Sequence, residues 1–338
     1  MDTVVKINKG TISHTTMKIL SKKRIYFVII LLMLCTITMV SERTIGSNIS
    51  DNANLEVNLT DSYPILITSN EVFIILGFPG NGTLEDPYRI ENLRVVSSGQ
   101  LEPAIIIGNT TVYFTIQNCE IISNFIGIRI IDTVATGTVR IFNNIISSMN
   151  KSGGGISIGS SQAHIENNTI TGFTQGIHVN EAEDTTIIGN SIVQSYYQGI
   201  NIRYSSFNTI INNHIRDSNQ HRLAIVGETS MYNVIYSNIF ANNSNSATYN
   251  IDGVITGETD SQGYDGGANN EWYNSATHIG NKWDDYTGEG SYSIDGSADS
   301  VDLYPEKYGS DPDQSNYITI IGLVATIGLI AWIYLKHK

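Results

Sequence analysis

A phrase that returns every 22 to 26 residues constrains this chain more than any other feature. An aliphatic residue is followed by two spacers, usually Asn, one spacer and another large apolar residue. It reads Ile141-x-x-Asn144-x-Ile146, Ile165-x-x-Asn168-x-Ile170, Ile187-x-x-Asn190-x-Ile192, Ile210-x-x-Asn213-x-Ile215 and Ile235-x-x-Asn238-x-Phe240. Earlier variants place Cys119 between Ile116 and Ile121, and Leu93 between Ile90 and Val95. A fixed period of this length marks a solenoid, in which each unit buries its apolar face by stacking on the next.

A second phrase follows the first: Gly127-Ile128-Arg129-Ile130, Gly155-Ile156-Ser157-Ile158, Gly176-Ile177-His178-Val179 and Gly199-Ile200-Asn201-Ile202, with Arg222-Leu223-Ala224-Ile225 as a looser copy. Each is a short alternating strand. A leucine-rich repeat has a similar period, but Leu93, Leu101 and Leu223 are the only leucines from 93 to 250. The apolar positions are Ile and Val, which favour strands. The repeat therefore predicts an all-β fold, a parallel β-helix of about 7–9 coils spaced about 4.8 Å apart. In it the Ile columns stack inward, and Cys119, Asn144, Asn168, Asn190, Asn213 and Asn238 form a structural ladder at one corner, bonding to one another and to backbone groups left unpaired by the bend. Cys119 reads as a small buried filler of that ladder rather than a nucleophile.

The two ends give the expected address. Residues 25–40 are uncharged and apolar and follow six basic residues, the pattern of a signal peptide or signal anchor over 1–40. Residues 317–335 form a second uncharged stretch, with Trp332 and Tyr334 near its end and Lys336 and Lys338 behind it, which predicts a transmembrane helix and a short cytoplasmic tail, 336–338. Residues 41–316 are then extracytoplasmic, with polar linkers at 41–70 and 309–316 and the β-helix with its caps over 71–308. They carry 11 basic and 31 acidic residues, so nucleic acid is excluded as a partner and the overall field favours neutral or cationic ligands. Cys35 lies inside the first apolar run, so no disulfide framework is read.

A solenoid needs caps that break its pattern. GFPGNGTLEDPYRIENLRV at 77–95 and GNKWDDYTGEGSYSIDGSADSVDLYP at 280–305 do so. Between these phrases, over roughly residues 70 to 308, the chain resembles the NosD-like right-handed parallel β-helix proteins of the carbohydrate-binding and sugar-hydrolase (CASH) class, especially secreted archaeal members. The right hand is implied by that resemblance. So is the functional range: NosD itself serves copper-site maturation of a periplasmic reductase, and other relatives bind or cut polysaccharides.

The residues divide these readings without choosing one. His164, His178, His214 and His221 fall in different columns of the aligned repeat, and neither Met149 nor Met231 joins them, so copper is disfavoured and no metal ligands are assigned. Calcium suits the acidic loops of 252–313, although no D-x-[DN]-x-[DN]-G loop is present. Glu181, Glu183 and Asp184 cluster at a corner with Arg203 one coil on, either as a solvated ion-pair network or as the acid/base groups of a lyase or glycoside hydrolase. The adjacent Asp284 and Asp285 read as backbone caps. Eighteen Tyr against nine Phe, with Tyr196, Tyr197, Tyr204 and Tyr232 outside the Ile columns, point to stacking on sugar rings. The expected partner is a glycan or cell-surface polymer, bound without cleavage; the enzyme and copper-maturation readings remain as alternatives.

Overall fold

The computed structural model describes residues 59–99, 101–133, 138–242 and 261–309. The expected signal or anchor segment and the expected transmembrane helix lie outside the described residues; among the described residues no helix is long and apolar enough to cross a membrane. The fold is a parallel β-solenoid of the right-handed type with about eight turns. Three sheets of ten, eight and seven strands run along its sides. Each turn follows the sequence phrases: the Ile-x-x strand lies in the seven-stranded sheet, the Asn-x-Ile strand in the ten-stranded sheet, and the Gly-Ile-x-Ile strand in the eight-stranded sheet.

The alternation of each strand puts every second side chain inside. Ile90, Ile116, Ile141, Ile165, Ile187, Ile210 and Ile235 form one fully buried stack, and the other two sheets contribute equivalent stacks such as Ile121, Ile146, Ile170, Ile192 and Ile215. Identical side chains in register pack β-branched groups on one another at the strand spacing, so one rotamer suits every coil. The glycine before each Ile-x-Ile strand sits where the turn passes closest to the core. A Cβ at Gly155 would collide with Ile170 Cγ2 and the Gly176 carbonyl.

Aromatic rings plug both ends of the core. The single described helix, α1 (Asn70–Ile75), inserts Phe73 against Tyr88 and Phe114, with centroids 4.9 and 5.4 Å away. At the other end Phe240, Trp283 and Tyr292 stack at 4.3 and 4.0 Å. One expected boundary moves: strands at Thr60–Ser62 and Ile65–Ile67 pair with Leu93–Val95 and Ile105–Ile107, so the solenoid begins about ten residues before 71, inside the expected linker. Three-residue strands without the Asn-x-Ile phrase carry too little of the repeat to stand out in the sequence.

The corner between the seven- and ten-stranded sheets is held by a continuous amide ladder. Cys119 N–H donates to Asn144 Oδ1 at 3.0 Å, and the pattern repeats from Asn144 to Asn168, Asn190, Asn213, Asn238 and Asn281 at 2.9–3.1 Å. Each Asn Nδ2 also donates to its neighbour's Oδ1 and to backbone carbonyls at the bend; for Asn190 these are Ile165 and Ile188. The bend itself is made by the preceding residue, Asn143, Asn167, Gly189, Asn212 or Ser237, in the left-handed region that small polar residues and glycine tolerate. Cys119 is the first rung, where burial pushes its thiol up to about 11. The last rung is a carboxylate: Asp302 accepts from Asn281 N, Asn281 Nδ2, Trp283 Nε1 and Tyr304 N. An acceptor-only group is what a ladder of forward-pointing donors needs at its end.

Candidate functional site

The eight-stranded sheet presents a floor with a column of polar groups that make no hydrogen bond among the described residues. Strand register places Arg129, Ser157, His178 and Asn201 in one outward column across four coils. Asn201 is 6% exposed, and its Oδ1 has no hydrogen-bond partner. A buried amide oxygen left unpaired costs about 1–3 kcal/mol, so it is a position where a ligand donor gains most. Beside the column, a depression of about 210 Å3 is lined by Ile126, Gly153, Gly154, Ser157, Thr174, Gln175 and His178. Burial, and then the charge of Arg203 one coil on, hold the His178 imidazole below its ordinary range. It is therefore neutral at neutral pH, with one ring N–H to donate and one nitrogen to accept.

This shift has a sign. The unfolded chain takes up a proton at 6.5 before the folded chain does, so stability is retained at neutral pH and falls as pH drops through 6.5 towards the lowered folded value. His178→Gln is expected to lose less stability than the parent between pH 7 and 5, measured by urea unfolding; an unchanged pH slope would show that the ring is solvated.

Two aromatic corners border the floor. Tyr196 and Tyr197 stand at the entry corner, their rings 5.0 Å apart, one coil beyond Phe173 and Thr174. At the exit corner the Arg203 guanidinium lies 4.9 Å over the Tyr204 ring, and Phe207 stacks on Tyr232 at 5.3 Å and 13°. The four expected tyrosines thus fall two at each corner, Tyr196 with Tyr197 and Tyr204 with Tyr232, the corners separated by the strand Ile200–Arg203, about 13 Å long at roughly 3.3 Å per residue. The exit corner also brings the acidic candidates beside the aromatics: Glu181 stacks one coil before Tyr204, and Asp184 one coil before Phe207. Glu181, Glu183 and Asp184 are exposed at this bend. Glu181, Asp184, Tyr204, Phe207 and Tyr232 all hold φ between 47° and 59°, where side chains other than Gly, Asn and Asp are strained by about 1 kcal/mol or more. A corner that asparagine would satisfy more cheaply here displays large rings.

Sequence reasoning missed Phe207, although its place directly before Asn208 gives a signal. Thr185, Asn208, Asn233 and Asn270 make a second ladder along this corner, and Phe207 and Tyr232 occupy its left-handed position. This ladder too ends on a carboxylate with an indole, since Asn270 Nδ2 and Trp272 Nε1 both donate to Asp265.

The charge reading needs revision on the floor. At the outward positions of its described strands the ionised side chains are Arg129 and Arg203, with no carboxylate, Asp265 being buried on the inner side, so the local field is cationic although the exterior as a whole is acidic. The histidines are dispersed: His164 pairs with Glu166 on the seven-stranded sheet, His178 lies on the floor, His214 packs near Tyr308, and His221 meets Asp295 at 3.2 Å. Among the described residues no group of three or more His, Cys, Asp or Glu is placed to hold a metal ion. Asp284 accepts from Asn242 N and Gln262 Nε2, and Asp285 from Tyr292 Oη, which makes both part of the closing cap.

No curated protein and no solved structure matches the chain. Residues 134–288 match the family described as "Periplasmic copper-binding protein (NosD)". With the repeat, the three parallel sheets and this match together, the chain is similar over that stretch to the NosD-like parallel β-helix proteins.

Proposed function

We propose that the protein is a membrane-anchored, extracytoplasmic binding module that holds a glycan or surface polymer on the outward face of the eight-stranded sheet without cleaving it. One observation carries this reading: a column of unpartnered polar groups, ending in the buried Asn201 Oδ1, lies between two corners that display tyrosines. Sugar rings offer apolar faces to aromatics and hydroxyls to fixed acceptors, and this surface supplies both. The two floor arginines favour neutral or acidic glycans over cationic ones. The periplasmic description of the family agrees with an extracytoplasmic solenoid, and the apolar runs at 25–40 and 317–335 support the anchored topology. Copper handling, the other property in the family description, has no converging donors to support it among the described residues.

The test is a panel of neutral and acidic polysaccharides offered to detergent-solubilised full-length protein, with the supernatant analysed for oligosaccharides. Binding without products is expected, and Tyr232→Ala should weaken it about fivefold, close to 1 kcal/mol for one lost ring contact. The enzyme reading rests on Glu181, Glu183 and Asp184 beside Arg203. Released oligosaccharides that disappear in Glu183→Gln would replace the binding module with a lyase or hydrolase.

A further inference from the structure

The depression on the floor is a missing rung. Along the entry edge of the eight-stranded sheet the glutamines form their own ladder: Gln175 Nε2 donates to Gln198 Oε1 at 3.1 Å, and Gln198 Nε2 to Gln220 Oε1 at 2.9 Å. Gln198 Oε1 and Gln220 Oε1 each accept from the coil before them. The coil before Gln175 offers Gly154 at the paired position, so Gln175 Oε1 receives no donor among the described residues. Gly154 is not there for its backbone. Its φ is not left-handed, and a Cβ would meet nothing nearer than the Gln175 carbonyl oxygen at 3.9 Å. Neighbouring Gly153, by contrast, has φ +69° and is required by the turn. The absent side chain at 154 therefore opens space that the fold has no need to leave open.

The chemistry of the gap specifies its occupant. A carboxamide continues every other step of the ladder, so the complementary group is a planar amide with an N–H to give to Gln175 Oε1. Its carbonyl would face Ser157 Oγ and the ring of His178, which make no hydrogen bond among the described residues. Ile126 supplies an apolar wall for a methyl group. At about 210 Å3 the space is below the roughly 300–1,000 Å3 of a pocket that swallows a whole ligand, so it takes a substituent while the ring stays on the floor. We infer that the depression at Gly154 is a subsite for the acetamido group of an N-acetylated amino sugar, whose N–H, carbonyl and methyl complete the glutamine ladder. This rests on the glycan-binding reading and narrows it to 2-acetamido sugars.

The experiment compares three probes on full-length protein by titration calorimetry: tetramers of N-acetylglucosamine or N-acetylgalactosamine, the corresponding de-acetylated tetramers, and a glucose tetramer. At least one acetylated tetramer is expected to bind ten times more tightly than the glucose tetramer. Gly154→Gln supplies the missing rung from the protein and should abolish that preference with the melting temperature unchanged. Ser157→Ala, which removes a hydroxyl the fold does not use, should reduce it several-fold and serves as the second variant if Gly154→Gln folds poorly. Equal affinity for acetylated and glucose tetramers overturns the acetamido assignment and leaves glycan binding standing. No binding of any tetramer or polysaccharide overturns both. A preference that survives Gly154→Gln places the acetamido group elsewhere and overturns the subsite.

Discussion

Asp302→Ala is expected to destabilise the solenoid by about 4 kcal/mol, the largest effect of any single substitution considered for this molecule. Asp302 is buried and closes the amide ladder with a carboxylate. Its removal leaves Asn281 N, Trp283 Nε1 and Tyr304 N without acceptors, while Asn281 Nδ2 keeps the carbonyls of Ile235 and Trp272. Each orphaned buried donor costs about 1–3 kcal/mol, and part of that total is offset because a charged group no longer has to be buried. Burial indeed raises the Asp302 pKa above the ordinary carboxylate range despite the hydrogen bonds. Asp302→Asn separates the two effects. It keeps one oxygen for Asn281 and Trp283 and turns an amide donor towards the Tyr304 N–H, so it should lose about 1–2 kcal/mol. Urea unfolding followed by tryptophan fluorescence measures both. Equal losses for Ala and Asn would mean that the charge, rather than the acceptor geometry, terminates the ladder.

The same reasoning explains what the sequence discloses and what it hides. Ile165, Asn168 and Ile170 recur because packing and corner hydrogen bonds impose the same demand on every coil, and repeated demands leave repeated residues. The ligand floor obeys no such demand. Arg129, Ser157, His178 and Asn201 are the free letter of the Gly-Ile-x-Ile phrase, outward positions where the fold accepts any side chain, so they show no period. They become visible only when register shows that the variable letters form a column and that polar atoms such as Asn201 Oδ1 have no hydrogen-bond partner among the described residues. Grouping the tyrosines by residue type likewise misses that Tyr197 and Tyr204 lie at opposite ends of one strand. Gly154 is the hardest to read of all: it stands beside Gly153 and Gly155, both required by the backbone, and only its open Cβ direction distinguishes it.

Replacing Asn190 by Ala should cost about 3 kcal/mol, less than the loss at Asp302 although Asn190 lies mid-ladder. Its Oδ1 accepts from both Asn168 N and Asn168 Nδ2, and its Nδ2 serves the carbonyls of Ile165 and Ile188 and Asn213 Oδ1. Some of these groups keep a second partner. Asn168 Nδ2 still reaches the carbonyls of Ile141 and Glu166, and the Ile188 carbonyl still receives Asn167 N–H. The uncompensated loss is then the Asn168 N–H, with the Ile165 carbonyl losing one donor, and a small cavity at a site that is 1% exposed. Asn190→Asp discriminates further, because it keeps the acceptor for Asn168 but sets a carboxylate against Asn213 Oδ1, a repulsion in place of a bond. Equilibrium unfolding should therefore rank Asp near or below Ala. A loss near zero for Ala would mean that water takes over the corner, and the ladder would then be a consequence of the coil rather than one of its causes.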